Sequence, residues 1–149
     1  QLTQLSNIPD VLYHVRVHPE SVTYQFWPVQ VGNSIRVRRR GFRRMGVEVS
    51  DEELDLFRNL CHHDHSKLLR KEEEIADLLL RVIESNSRTE YFTHDFMVEK
   101  LRELWIGLIL NNVKKYRGII TLVNTHPVNE YFRIDALTKG KLYLKTLIG

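Results

Sequence analysis

Six arginines fall within nine residues: Arg36, Arg38, Arg39, Arg40, Arg43 and Arg44, in the stretch SIRVRRRGFRRMG from Ser34 to Gly46. All six guanidinium groups stay charged at any cellular pH. Like charges packed this densely repel, and a polyanion relieves the repulsion. Guanidinium meets phosphate oxygens bidentately, so nucleic acid is the first partner to consider. A solvated edge strand, blunted against aggregation, is the plainer account, but blunting needs one or two charges rather than six. The order Ser34–Ile35–Arg36–Val37–Arg38 alternates. It predicts a strand with Ile35 and Val37 facing a core and Arg36 and Arg38 facing out, running into a loop at Gly41.

Charge is uneven along the chain of 149 residues. Residues 1–49 hold seven basic and three acidic residues, a net of +4; residues 50–104 hold eight and fourteen, a net of −6; residues 105–149 hold seven and two, a net of +5. A polyanion should therefore touch the two ends of the sequence and avoid the middle. No apolar run approaches the roughly 18 residues of a spanning helix, so no membrane is expected. With one cysteine, Cys61, no internal disulfide can form, and an intracellular setting, nuclear or cytoplasmic, is expected. The first ten residues lack the apolar centre of a secretory signal.

Val11–Val17 and Val22–Val31 read as further strands, giving a three-strand antiparallel meander. Ser50–Asp51–Glu52–Glu53 is a capping box that opens a helix expected to run to about Arg70. Glu72–Glu84 reads as a second helix with Ile75, Leu78, Leu79, Val82 and Ile83 inward. Thr93 opens a third, carrying Phe96, Met97, Leu101, Leu104 and Trp105 towards Leu110. Gly118–Val123, Glu130–Ile134 and Lys141–Ile148 return to a period of two and read as strands. The expected class is α+β: a small antiparallel sheet, then helices, then a second small β subdomain. The expected divisions are 1–70, 71–112 and 113–149, with one compact domain as the alternative.

Cys61, His62, His63 and His65 contain ligand-type side chains, but no second pair at zinc-like spacing follows, so no metal is expected. His62 and His63 are better read as polar-face residues able to approach phosphate. No Gly-rich phosphate loop, nucleophile elbow or His-Glu-x-x-His is present, and the acidic residues alternate with bases on polar faces. No catalysis, cofactor or small-molecule substrate is expected. Aromatics near arginines can stack unpaired bases, but most are expected in the core; Tyr131 and Tyr143 are the best candidates for a polar role, since each neighbours a basic residue on its strand.

The runs Leu12–Pro19, Phe26–Val29, Ser34–Val37 to Gly41–Phe42, Leu54–Leu56 and Ser66–Arg70 resemble, in order and spacing, the platform region of Dicer ribonucleases. Gly118–Thr121 and Tyr131–Asp135 resemble strands of the PAZ domain that follows it. The resemblance implies a module that binds the end of double-stranded RNA, its basic stretch holding the 5′ phosphate and a PAZ-like pocket the 3′ overhang. Arg36, Arg38, Arg39, Arg40, Arg43 and Arg44 match that basic stretch as a group; Tyr131 and Arg133 lie on the PAZ-like strand. Such a piece would measure RNA for the nuclease domains of a larger chain. The alternative is a protein-interaction module, its acidic helices and basic face docking a partner.

Overall fold

The computed structural model describes residues 26–148, and every regular element within them is helical. The helices are α1 (Trp27–Arg44), α2 (Asp51–Cys61), α3 (Glu72–Thr89), α4 (His94–Asn112), α5 (Gly118–Thr125), α6 (Val128–Phe132) and α7 (Ala136–Ile148), with a 3-10 turn at His65–Leu68. The chain divides into two compact units, Gln1–Asn33 and Ser34–Gly149. Of the first, the described part is residues 26–33, the opening of α1. No helix among the described residues is long and apolar enough to cross a membrane.

The α+β expectation is therefore overturned: the described residues contain no strand. Ser34–Arg38, Gly118–Val123 and Lys141–Ile148 lie in α1, α5 and α7, Glu130–Phe132 in α6, and the described part of Val22–Val31 opens α1. The strand expected at Val11–Val17 lies outside the described residues. The physical reason is clearest in α1. Five alternating residues satisfy a period of two, but Ile35, Phe42 and Met45 fall on one side of a helix, and it is these that meet the core. Val37, expected to face inward, is 70% exposed.

Gly46 closes α1 with a Schellman turn. Its φ is +76°, its N–H donates to the Arg43 carbonyl at 3.0 Å, and the Val47 N–H donates to the Phe42 carbonyl at 2.9 Å. Phe42 and Val47 are both buried, which adds the apolar contact usual in this motif. A Cβ on residue 46 would also come within 3.2 Å of Ser85 Oγ. That hydroxyl donates to the Met45 carbonyl at 2.6 Å and ties α3 to the end of α1.

The capping box at Ser50 is present. The Glu53 N–H donates to Ser50 Oγ, and the Ser50 N–H donates to Glu53 Oε2 at 2.8 Å. The helix it opens stops at Cys61 and does not run to Arg70. The chain reverses instead through His63, in the left-handed region at φ 56°, with the His63 and Asp64 N–H groups donating to the Leu60 and Asn59 carbonyls. This is a second Schellman turn, with histidine standing where glycine is usual.

α4 is the centre of the larger unit and packs against α2, α3, the 3-10 turn, α6 and α7. The expected inward faces of α3 (Ile75, Leu78, Leu79, Val82, Ile83) and of α4 at Met97, Leu101 and Trp105 are buried. Phe96, expected inward, is instead 55% exposed.

Candidate nucleic-acid interface

At 3.6 residues per turn, Arg36, Arg40, Arg43 and Arg44 share the side of α1 facing away from Phe42 and Met45. All four are exposed. Arg40, Arg43 and Arg44 make no ion pair among the described residues. α1 has no acidic residue in its first turn, and Arg43 and Arg44 sit in its last, where they oppose the negative end of the helix dipole. The two remaining arginines behave differently. Arg39 is half-buried and pairs with Asp51 at the start of α2. Arg38 is turned towards the interior side and donates to Ser34 Oγ. The six arginines foreseen as one fan on a strand and loop thus divide by burial: Arg36, Arg40, Arg43 and Arg44 are exposed, while Arg38 and Arg39 are half-buried and bonded to Ser34 and Asp51.

Arg38 lies close enough to Cys61 for its charge to draw the thiol pKa down, against the larger effect of burial, which pushes it up. α2 stands beside α1, where the Phe42 and Phe57 rings meet edge to face with centroids 5.0 Å apart. His62 and His63 follow α2 directly and are exposed. His63 and His65 have ring centroids 5.7 Å apart. Among the described residues no three histidines, cysteines or carboxylates converge as a metal-binding set.

His65 is half-buried, and its pKa is held below the usual 6.5, first by burial and then by neighbouring His63, with Asp64 opposing. The folded state therefore disfavours its protonation relative to the unfolded chain. Stability should fall as pH drops below about 6.5, and the loss should be complete only below the lower folded-state pKa. Urea midpoints measured between pH 7.5 and 5 should fall less steeply in His65→Gln than in the wild type; identical slopes would remove His65 as a source of the effect.

Tyr131, Arg133 and Tyr143 were expected on strands. Tyr131 lies in α6, with its ring 6.5 Å from that of His94; Arg133 is the left-handed residue ending α6, at φ 41°. Both line an open cleft of about 530 Å³ between α4 and α6. Asp95, Glu99 and Glu130 line it too, and Arg102 there is occupied by the Phe132 carbonyl and Asp135, so the cleft is not a cationic receptor for phosphate. Tyr143 sits on α7, where its hydroxyl accepts from Asn124 Nδ2 at 3.3 Å. These three residues and the arginine face are not assembled into one pocket.

Among the described residues, this geometry defines a small helical unit with an arginine-faced helix. No family model, no curated protein and no solved structure matches the chain.

Proposed function

We propose that the domain is a nucleic-acid-binding module, without chemistry of its own, that grips the phosphate backbone of duplex RNA along α1. The observation that carries the reading is the outward face of Arg36, Arg40, Arg43 and Arg44. These residues span about 12 Å along the helix axis at 1.5 Å per residue. A row of that length suits successive backbone phosphates. It does not close around a single terminal phosphate, and the sheet that would have built such a pocket is missing from the described residues, so a preference for 5′-phosphorylated ends loses its support. A setting inside the cell, where RNA and an unpaired cysteine coexist, goes with this reading.

The test is a salt titration of binding to a short RNA duplex. Three or four phosphate contacts give a slope of log K against log salt of about −3 to −4, so affinity should fall roughly a hundredfold between 50 and 200 mM salt. The double change Arg40→Glu, Arg44→Glu should weaken binding by about a hundredfold at low salt and flatten the slope by about 2. 5′-phosphate and 5′-hydroxyl duplexes should bind alike. Wild-type binding that ignores salt, or a double variant that binds as well as wild type, would end the proposal.

A further inference from the structure

We propose that the groove between α1 and α4 docks the apolar face of an acidic amphipathic helix from a partner protein. The groove has a volume of about 310 Å³ and lies on the side of α1 away from Arg40 and Arg44. Its walls are almost wholly apolar and include both methionines of the chain, Met45 and Met97. Methionine side chains adapt to varied apolar surfaces, which suits a docking site. Phe92 and Phe96 stand at its border 44% and 55% exposed, while the rest of the aromatic and aliphatic lining is drawn from the core. Exposed phenylalanines continuous with an apolar trough mark an interaction surface rather than an isolated surface residue.

Charge selects the occupant. The charged residues lining the groove are Arg38 from α1, which also donates to Ser34 Oγ, and Lys100 from α4, beside Glu99 and Glu103; they line it chiefly with their apolar stems, and no carboxylate lines it. Lys100 reaches Glu103 at 3.0 Å in an exposed pair, a contact worth little and readily exchanged. An occupant that fits has an apolar stripe flanked on both sides by aspartate or glutamate. An open trough bordered by two helices suits helix-in-groove recognition, with anchors at i, i+3 or i+4, and i+7. A small ligand would instead be largely enclosed. α7, an exposed apolar helix among the described residues, is lysine-rich and meets the same sign of charge at the groove, so a second copy does not fit by that helix.

Two features keep the groove formed. The buried Asn86 side chain clamps the Phe92 backbone, donating to its carbonyl and accepting from its N–H, both at 2.9 Å. This fixes the aromatic border before any partner arrives, which lowers the ordering cost of binding. Gly41 lies inside α1, where glycine weakens a helix relative to alanine, yet a Cβ there would meet nothing within 4 Å. The missing side chain leaves the groove open.

That glycine supplies the experiment. Gly41→Leu adds a side chain into open space on a helix and should raise thermal stability while filling the groove. A displayed library of helical peptides of about sixteen residues is selected against the full chain, with the Gly41→Leu chain as counter-target. Enriched peptides should carry the i, i+4, i+7 apolar pattern with flanking acids. Their affinity should fall about tenfold or more in Gly41→Leu, in Lys100→Glu, and when their acids are changed to lysine. Binding of the RNA duplex to Gly41→Leu should be unchanged, which separates this site from the arginine face. Enrichment of peptides without acids, equal binding to both chains, or no enrichment over the counter-target would overturn the proposal. So would self-association of the wild type that Gly41→Leu abolishes, since the occupant would then be a second copy.

Discussion

Replacing Asn112 with alanine is expected to destabilise the fold by about 3–4 kcal/mol, a large part of the total for a domain of this size. Glu72 is fully buried at the first position of α3, and Asn112 Nδ2 donates to its Oε1 at 2.9 Å. The same amide nitrogen donates to the His65 carbonyl at 3.2 Å, so one side chain on α4 holds both the 3-10 turn and the start of α3. The other carboxylate oxygen, Oε2, has no hydrogen-bond partner among the described residues. Removing Asn112 leaves a buried carboxylate without its side-chain donor, and that penalty exceeds the value of the hydrogen bond itself. The positive end of the α3 dipole supports the carboxylate but does not replace the contact. Glu72→Met with Asn112→Leu, which removes the polar pair together, should recover most of the loss. Urea denaturation decides it: an Asn112→Ala cost below about 1 kcal/mol, or a double variant as damaged as the single, would show that the pair does not bear on stability in this way.

The helices that the sequence makes legible are those with a start signal or a long period. α2 opens at its capping box but ends at Cys61 rather than near Arg70, and α3 starts at Glu72 with its five inward aliphatic residues in place but runs on to Thr89. α1, α5 and α7 were misread because their apolar residues are β-branched or come in short runs, where periods of two and 3.6 are hard to separate. GIITLV contains a buried pair at Ile119 and Val123, spaced i to i+4, yet its composition is that of a strand. Lys141–Ile148 buries Leu142 while leaving Leu144 and Leu147 57% and 81% exposed, so it offers no clean period at all. The arginine cluster was legible as a cationic site, and its secondary structure was not. That error matters chemically: a helix sorts six arginines by angle, sending Arg38 inward and Arg39 to Asp51, where a strand and loop would have sent them all to one face. The groove was not legible, because its lining comes from α1, α2, α3, the loop before α4 and α4 itself. The isolated clues were Gly41 inside an arginine-rich run and the adjacent pair Phe96–Met97.

Trp105 should prove the most sensitive single position in the core. It is fully buried at the middle of α4, and its indole Nε1 donates to Asn129 Oδ1 at 3.1 Å. Asn129 in turn donates from Nδ2 to the carbonyls of Leu122 and His126, both at 3.0 Å, which satisfies the end of α5 and the turn into α6. The indole therefore fills volume and also orients the amide that joins two short helices. Helices of eight and five residues have little stability of their own and depend on such contacts. Trp105→Ala should cost about 4–5 kcal/mol from the cavity and the lost donor. Trp105→Phe keeps most of the apolar contact and loses the donor, and should cost about 2 kcal/mol. A cycle of Trp105→Phe with Asn129→Ala should give a coupling energy of at least about 0.5 kcal/mol, because each single change already breaks the shared hydrogen bond. The helical signal should drop locally before global unfolding in the phenylalanine variant, with amide exchange in 118–132 accelerating ahead of that in α3. Strict additivity of the two changes, together with uniform exchange across the domain, would mean that Trp105 acts by volume alone and that the α5–α6 joint is held by Val128 and Phe132 without it.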